Sequence, residues 1–180
     1  MKRVLIIGSG GAGKSTLARH MGELSGLPVV HLDREHWQPG WVETPRDEWT
    51  RKVAELVAPD EWIIDGNYGG TMGLRIDRAD TIVFLDYSRW LCLYRSTKRQ
   101  VVYRNKTRPD MTPGCNEKLD PKFFKFLKWI WQYRSTRRPG VLAMLRAARA
   151  DGKRVVVLKD PKATRRFLAR VLADGALSTR

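Results

Sequence analysis

The sequence predicts a three-layer, doubly wound parallel α/β fold. Apolar strand-like runs alternate with helix-length patterns, and a glycine-rich motif lies between the first run and the first helix. The strand-like runs, rich in Val, Ile and Leu, fall at residues 2–7, 28–32, 62–64, 81–85 and 154–158, and suggest a five-stranded sheet. Three of them are continuous apolar stretches without alternation, the pattern of strands covered by helices on both faces. The first helix is expected at 16–24. Thr44 is placed to cap the next, with Pro45 at its first position and Asp47 and Glu48 in its first turn. Asp120-Pro121 and Asp160-Pro161 read as starts of the same kind. Between helical patterns at 88–105 and 121–133, Pro109, Pro113 and Gly114 mark a loop, a lid candidate at about 104–122. No linker composition divides the chain, so one domain is expected over 1–180.

Bulk properties narrow the function classes. With 180 residues and 42 % apolar composition the chain can bury an ordinary core, which argues against disorder. Cys92 and Cys115 are too few for a disulfide framework, and Met1 runs into a strand-like segment instead of a secretory signal. The longest apolar runs, 4–7 and 155–158, are far too short to cross a bilayer. A soluble cytoplasmic protein is the expectation. The formal net charge of +15 implies attraction to polyanions, and residues 89–138 carry most of the excess against only Asp110, Glu117 and Asp120.

Gly8-Ser9-Gly10-Gly11-Ala12-Gly13-Lys14-Ser15, followed by Thr16, fits G-x-x-x-x-G-K-[ST] with a strand before it and a helix after it. Glycines in such a loop let backbone N–H groups approach phosphate oxygens, and the helix N-terminus adds a favourable dipole. Lys14 is expected on the β- and γ-phosphates of ATP, and the Ser15 hydroxyl on Mg2+. Ligands of open α/β sheets sit beyond the carboxyl ends of the strands, where Asp33 and Asp65 fall. Asp65 is expected to share the metal with Ser15, and Asp33 to position an acceptor. Asp86 also ends a strand and is read as structural. The spacing His31-x-Asp33-x-x-His36 matches no zinc pattern, while His31, His36, Trp37 and Trp41, with Asn67 and Tyr68, are candidates to line an acceptor pocket.

Arg95 and Arg99, four apart, share a helix face, and Arg134, Arg137 and Arg138 end the pattern beyond the lid candidate. Guanidiniums on both sides of a closing lid can neutralise charge on a transferring phosphoryl group. Phe123, Phe124, Leu127, Ile130 and Trp131 read as an ordinary buried stripe that Phe126, Trp129 and Tyr133 widen, an excess that suits two-sided burial first, then a partner contact or base stacking. Nothing near Cys115 would activate its thiol.

The motifs Gly8 to Ser15, His31-Leu32-Asp33 with Trp37-Gln38-Pro39-Gly40-Trp41, Trp62-Ile63-Ile64-Asp65-Gly66-Asn67-Tyr68, Arg89-Trp90-Leu91-Cys92-Leu93-Tyr94-Arg95, and Pro113-Gly114-Cys115 with Glu117 span most of the chain. Together they resemble the adenylate-kinase-like P-loop proteins termed DNA topology modulation proteins. That resemblance implies a P-loop kinase sheet ordered 2-3-1-4-5, a mobile lid, and ATP-dependent phosphoryl transfer to a small acceptor. It further implies that Arg95 and Arg99 start the lid, that Arg134 and Arg138 close on the phosphates, and that residues 159–163, including Lys159 and Pro161, border the adenine. The chain departs from nucleoside monophosphate kinases where Asp65-Gly66-Asn67-Tyr68-Gly69 replaces Asp-Gly-Phe-Pro-Arg, removing the arginine that grips a monophosphate. Arg75 and Arg78 are the candidate substitutes. A magnesium-dependent kinase is therefore expected, and a nucleic-acid-associated ATPase or ATP-switched binding protein is the alternative.

Overall fold

The computed structural model describes residues 1–178, so the last two residues of the expected 1–180 domain lie outside it. The chain opens with β1 (Arg3–Gly8), turns through the glycine-rich loop and enters α1 (Lys14–Ser25). β2 (Val29–His31) leads into a short α2 (Leu32–His36) and a hairpin of β3 (Trp37–Gln38) and β4 (Val42–Glu43). Then come α3 (Arg46–Val57), β5 (Trp62–Asp65), a 3-10 turn at Gly69–Thr71, α4 (Met72–Arg78) and β6 (Thr81–Leu85). A long loop separates α5 (Arg89–Val102) from α6 (Pro121–Thr136), and α7 (Arg138–Ala150), β7 (Arg154–Leu158) and α8 (Pro161–Ser178) follow.

Five strands form one parallel sheet, ordered β2-β5-β1-β6-β7. Counted in chain order within that sheet, the order is 2-3-1-4-5. Alternation along each strand sends side chains to opposite faces. Leu5, Ile7, Trp62, Ile64, Ile82 and Phe84 meet Trp49 and Val53 of α3, Ile76 of α4 and Leu145 of α7. Val4, Ile6, Ile63, Val83 and Leu85 meet Leu17 and Met21 of α1, Ile130 of α6 and Phe167 of α8. Burial on both faces explains the uninterrupted apolar strand runs. No helix among the described residues is long and apolar enough to cross a membrane.

The expected helix starts have mixed outcomes. Asp120 accepts the Phe123 N–H at 3.0 Å and Asp160 the Ala163 N–H at 2.8 Å, each capping a helix with proline next in sequence. Thr44 does not cap α3; its hydroxyl donates to the His36 carbonyl at 2.6 Å, tying the far side of the hairpin to α2. The pattern expected at 88–105 stops earlier, at Val102, and that expected at 121–133 runs on to Thr136.

Arg75, a candidate grip for a monophosphate, does not line the cleft at the carboxyl ends of the strands. It is fully buried, and its guanidinium donates to the carbonyls of Gly66, Asn67, Tyr68 and Thr71. Desolvation lowers its pKa to about 10. Arg75 thus staples the turn after β5, where Tyr68 sits in the left-handed region at φ 30°. Removing it leaves buried carbonyls unpaired. Arg75→Met is expected to destabilise the protein by about 3–5 kcal/mol in chemical denaturation. Arg78 is likewise spent, on the Val57 and Ala58 carbonyls.

Candidate active site

The carboxyl ends of β1, β2 and β5 and the N-terminus of α1 open onto a cleft of about 1270 Å³. Its floor is the loop between β1 and α1, and residues Gly10 to Thr16 line it. Gly11 and Gly13 turn the chain with φ of 72° and 92°. Gly11 is needed twice over, because a Cβ there would lie 2.2 Å from the Cys92 carbonyl oxygen of α5. The loop is braced from behind by Asn67, whose Oδ1 accepts from the Gly8 N–H at 3.2 Å and whose Nδ2 donates to the Gly8 carbonyl at 2.7 Å. Gly8 and Ser9 therefore shape the loop from beneath and do not face the cleft. The first-turn N–H groups of α1 are of the kind a helix leaves without an internal acceptor, and they carry its positive dipole end.

Lys14 folds over this loop and donates to the Gly8 and Ser9 carbonyls, both at 3.1 Å. Desolvation holds its pKa below the ordinary lysine value, against the opposing pull of Asp33 and Asp65. One residue on, the Ser15 hydroxyl donates to Asp65 Oδ1 at 3.1 Å, while His31 Nδ1 hydrogen-bonds Asp65 Oδ2. The register makes this pair, since His31 and Asp65 are neighbours at the ends of parallel β2 and β5. Burial raises the Asp65 pKa, and the bond to Asp65 raises that of His31. Ser15 lines the cleft and the buried Asp65 carboxylate lies directly behind its hydroxyl, so the two hard oxygens form a donor set that suits Mg2+ together with phosphate oxygens. No cluster of three or more His, Cys, Asp or Glu side chains arranged for a metal occurs among the described residues. His36 packs edge-on against Trp37 and Trp49 instead.

Asp33 lies in the first turn of α2, lines the cleft, and accepts from the Tyr68 hydroxyl at 2.8 Å. Trp37, Trp41, Glu43 and Tyr68 form the surrounding wall, the two tryptophans edge-to-face at 5.3 Å. At the opposite end Tyr87, Phe126 and Trp129 join Pro161, Thr164, Arg165 and Leu168 of α8.

The loop between α5 and α6 folds over the cleft on a buried charge network. Arg108 Nε sits 2.7 Å from Glu117 Oε1, Arg99 Nε 3.8 Å from the same oxygen, and Arg108 Nη1 3.1 Å from Asp110 Oδ2. Burial alone would raise the Asp110 pKa, but the Arg108 guanidinium and a backbone N–H hydrogen bond bring it below the usual carboxylate value. The same loop is latched to the β3–β4 hairpin. Trp41 Nε1 donates to the Asn116 carbonyl at 2.9 Å, and the Cys115 thiol to the Gln38 carbonyl at 3.2 Å.

Of the four arginines expected around the phosphates, two reach the cleft. Arg95 donates to the Ala12 carbonyl at 3.3 Å and lies over the Tyr87 ring, and Arg99 lines the wall next to the charge network. Arg134 and Arg138 do not line it. The long, straight α6 carries Arg134 to its far end, exposed to solvent. Arg138, just beyond, is held by Asp86 in a bidentate pair with both bonds at 2.8 Å. Asp86 is structural, as its strand-end position suggested. Arg138→Ala is accordingly expected to lower stability by about 1–3 kcal/mol and to leave the apparent affinity for ATP unchanged. Lys159 is exposed and absent from the cleft lining, and Thr164 and Arg165, one turn further along, take the place expected of it beside Pro161. Arg108, Asp110, Tyr87 and Thr164 line the cleft without any local motif announcing them, whereas Asn67, a candidate for the acceptor pocket, braces the loop. Their one sequence signal is the proximity of Thr164 to Asp160-Pro161.

The fold is of the P-loop kinase type. No family model matches the chain, and no curated protein matches its sequence. Solved structures do match in shape. Shikimate kinase from Acinetobacter baumannii, in complex with shikimate, is similar over 100 % of this chain and 95 % of its own, with a TM-score of 0.58 at 16 % identity. Shikimate kinase from Bacteroides thetaiotaomicron is similar over 96 % of this chain and 97 % of its own, with a TM-score of 0.57 at 16 % identity. A gluconokinase from Sinorhizobium meliloti 1021 covers 99 % and 98 %, with a TM-score of 0.51 at 15 % identity.

Proposed function

We propose that the protein is a magnesium-dependent phosphotransferase that moves the terminal phosphoryl group of ATP to a small hydroxylated acceptor. The observation that carries this reading is the convergence of the phosphate loop, the Ser15 hydroxyl and the Asp33 carboxylate on one cleft, with the buried Asp65 carboxylate bonded to Ser15 directly behind it. Bound magnesium would neutralise charge on the triphosphate tail, with Ser15 and Asp65 as its protein-side holders. Backbone N–H groups from Gly10 to Thr16 and the Lys14 ammonium would hold the phosphates. Arg95 and Arg99 would offset charge as it shifts, beneath the 104–122 segment acting as a lid. Asp33 would orient the acceptor hydroxyl and take its proton as the oxygen–phosphorus bond forms and the bond to ADP breaks. Tyr68 holds that carboxylate in place. Pro161, Thr164 and Tyr87 would border the base.

Nucleoside monophosphates are disfavoured as acceptors because Arg75 and Arg78 are both committed to backbone carbonyls. Small hydroxylated metabolites are favoured instead, in keeping with the shikimate kinases and the gluconokinase whose folds the chain shares. Membership of the DNA topology modulation family belongs to the same proposal, carried by the motifs quoted above. The deciding experiment is a screen of nucleoside monophosphates, nucleosides and hydroxylated metabolites for acceptor-stimulated ADP release. Stimulation by one hydroxylated metabolite supports the reading. Slow ATP hydrolysis that no acceptor accelerates, together with tight duplex binding that falls steeply with salt, would favour the nucleic-acid-associated ATPase instead.

A further inference from the structure

The outer face of the α5–α6 pair has no place in the proposed chemistry, yet it gathers several large exposed apolar side chains. Trp90 and Tyr94 are 68 % and 63 % exposed, and Val101 continues their row along α5. On α6, Phe124, Lys128 and Trp131 recur at the same helical spacing, with Phe124 59 % exposed. The two rows meet where Trp90 and Trp131 pack edge-to-face at 5.0 Å, with the Arg89 guanidinium 4.7 Å over the Trp131 ring. Isolated exposed apolar side chains are ordinary, but a contiguous patch of this kind marks an interaction surface.

Charge defines the partner. Outside the cleft, α5 carries Arg89 and Lys98 and α6 carries Lys125, Lys128 and Arg134, and neither helix contains an aspartate or glutamate. Two copies of this face brought together would oppose like charges, which disfavours a symmetric dimer through it. Exposed aromatics ringed by cations also occur where single-stranded nucleic acid stacks. Here, however, Trp131 is covered by Arg89 on its face and by Trp90 at close range, and Val101, Val102 and Leu119 add exposed aliphatic surface that bases do not use. Tryptophan, tyrosine and aliphatic side chains flanked by lysines are the composition that settles at a headgroup–acyl boundary.

We propose that the outer face of α5 and α6 docks on an anionic phospholipid bilayer, with Trp90, Tyr94 and Phe124 entering the interface and Lys98, Lys125 and Lys128 contacting headgroups. The inference is independent of the kinase reading. It is tested by sedimenting the full chain with phosphatidylcholine vesicles, alone or doped with phosphatidylglycerol, while following tryptophan emission. Binding to the doped vesicles with a blue shift in emission is expected, and little binding to phosphatidylcholine alone. Trp90→Ser combined with Tyr94→Ser, both exposed and so tolerated by the fold, is expected to weaken binding roughly tenfold or more. Lys98→Glu with Lys128→Glu is expected to weaken it at low salt. Three results would overturn the proposal: no binding to doped vesicles, binding that the aromatic double variant leaves unchanged, or tighter binding of a single-stranded oligonucleotide that the same variant abolishes.

Discussion

Lys14→Ala is expected to weaken ATP binding roughly 100-fold or more, a loss of about 2.7 kcal/mol, while leaving the thermal midpoint close to that of the parent. Both halves of that expectation come from the geometry. The ammonium touches only the Gly8 and Ser9 carbonyls of its own loop, so it supports no packing that the fold depends on. Its pKa is held down by desolvation, and a phosphate brought beside it would restore the stabilisation that burial removes. Titration calorimetry with ATP and magnesium, paired with a thermal melt, separates the two effects. Unchanged affinity in a folded variant would mean that the loop does not hold the triphosphate.

The second large effect is expected at Asp33. Asp33→Asn keeps an oxygen to accept from the Tyr68 hydroxyl but removes the proton acceptor, so acceptor-dependent turnover should fall by about 10²–10⁴-fold with little change in the KM for ATP. Tyr68→Phe should lower turnover less, because it loosens Asp33 without removing it. A steady-state comparison of the three proteins distinguishes a base from a structural carboxylate. If Asp33→Asn retained full turnover, the acceptor would have to be activated from elsewhere in the cleft.

The strands and the phosphate loop were legible because their signals are local. The continuous runs at 81–85 and 154–158 coincide with β6 and β7, and the glycine spacing between β1 and α1 leaves little choice of conformation. Helix starts carried by Asp120 and Asp160 were readable for the same reason, each being a side chain bonded to an N–H three residues away. Thr44 shows the limit of such reading, since a hydroxyl that suits a cap is drawn to the His36 carbonyl once the hairpin folds back. The hairpin itself, two residues per strand, is too short to leave a periodic signature.

What stayed hidden depends on residues far apart in the chain. Arg138 reads as a phosphate ligand until Asp86, 52 residues earlier, is found to hold it. Arg75 reads as a candidate grip for a monophosphate until four backbone carbonyls close around it. The Arg108–Glu117 pair and the contact of His31 with Asp65 are products of tertiary packing, which a single sequence does not display. The motif residues Gly10 to Thr16 and the helix-spaced Arg95 and Arg99 line the cleft, whereas Gly8, Ser9, Arg134, Arg138 and Lys159 do not.

The most direct test of the account is an amide NMR titration of the whole protein with ATP and magnesium. Backbone N–H signals of Gly11, Gly13, Lys14 and Ser15 should move strongly and saturably, and the Thr44 N–H, which already donates to the His36 carbonyl, should stay in place. Silent loop amides in a folded protein, or shifts confined to the α5–α6 face, would contradict it.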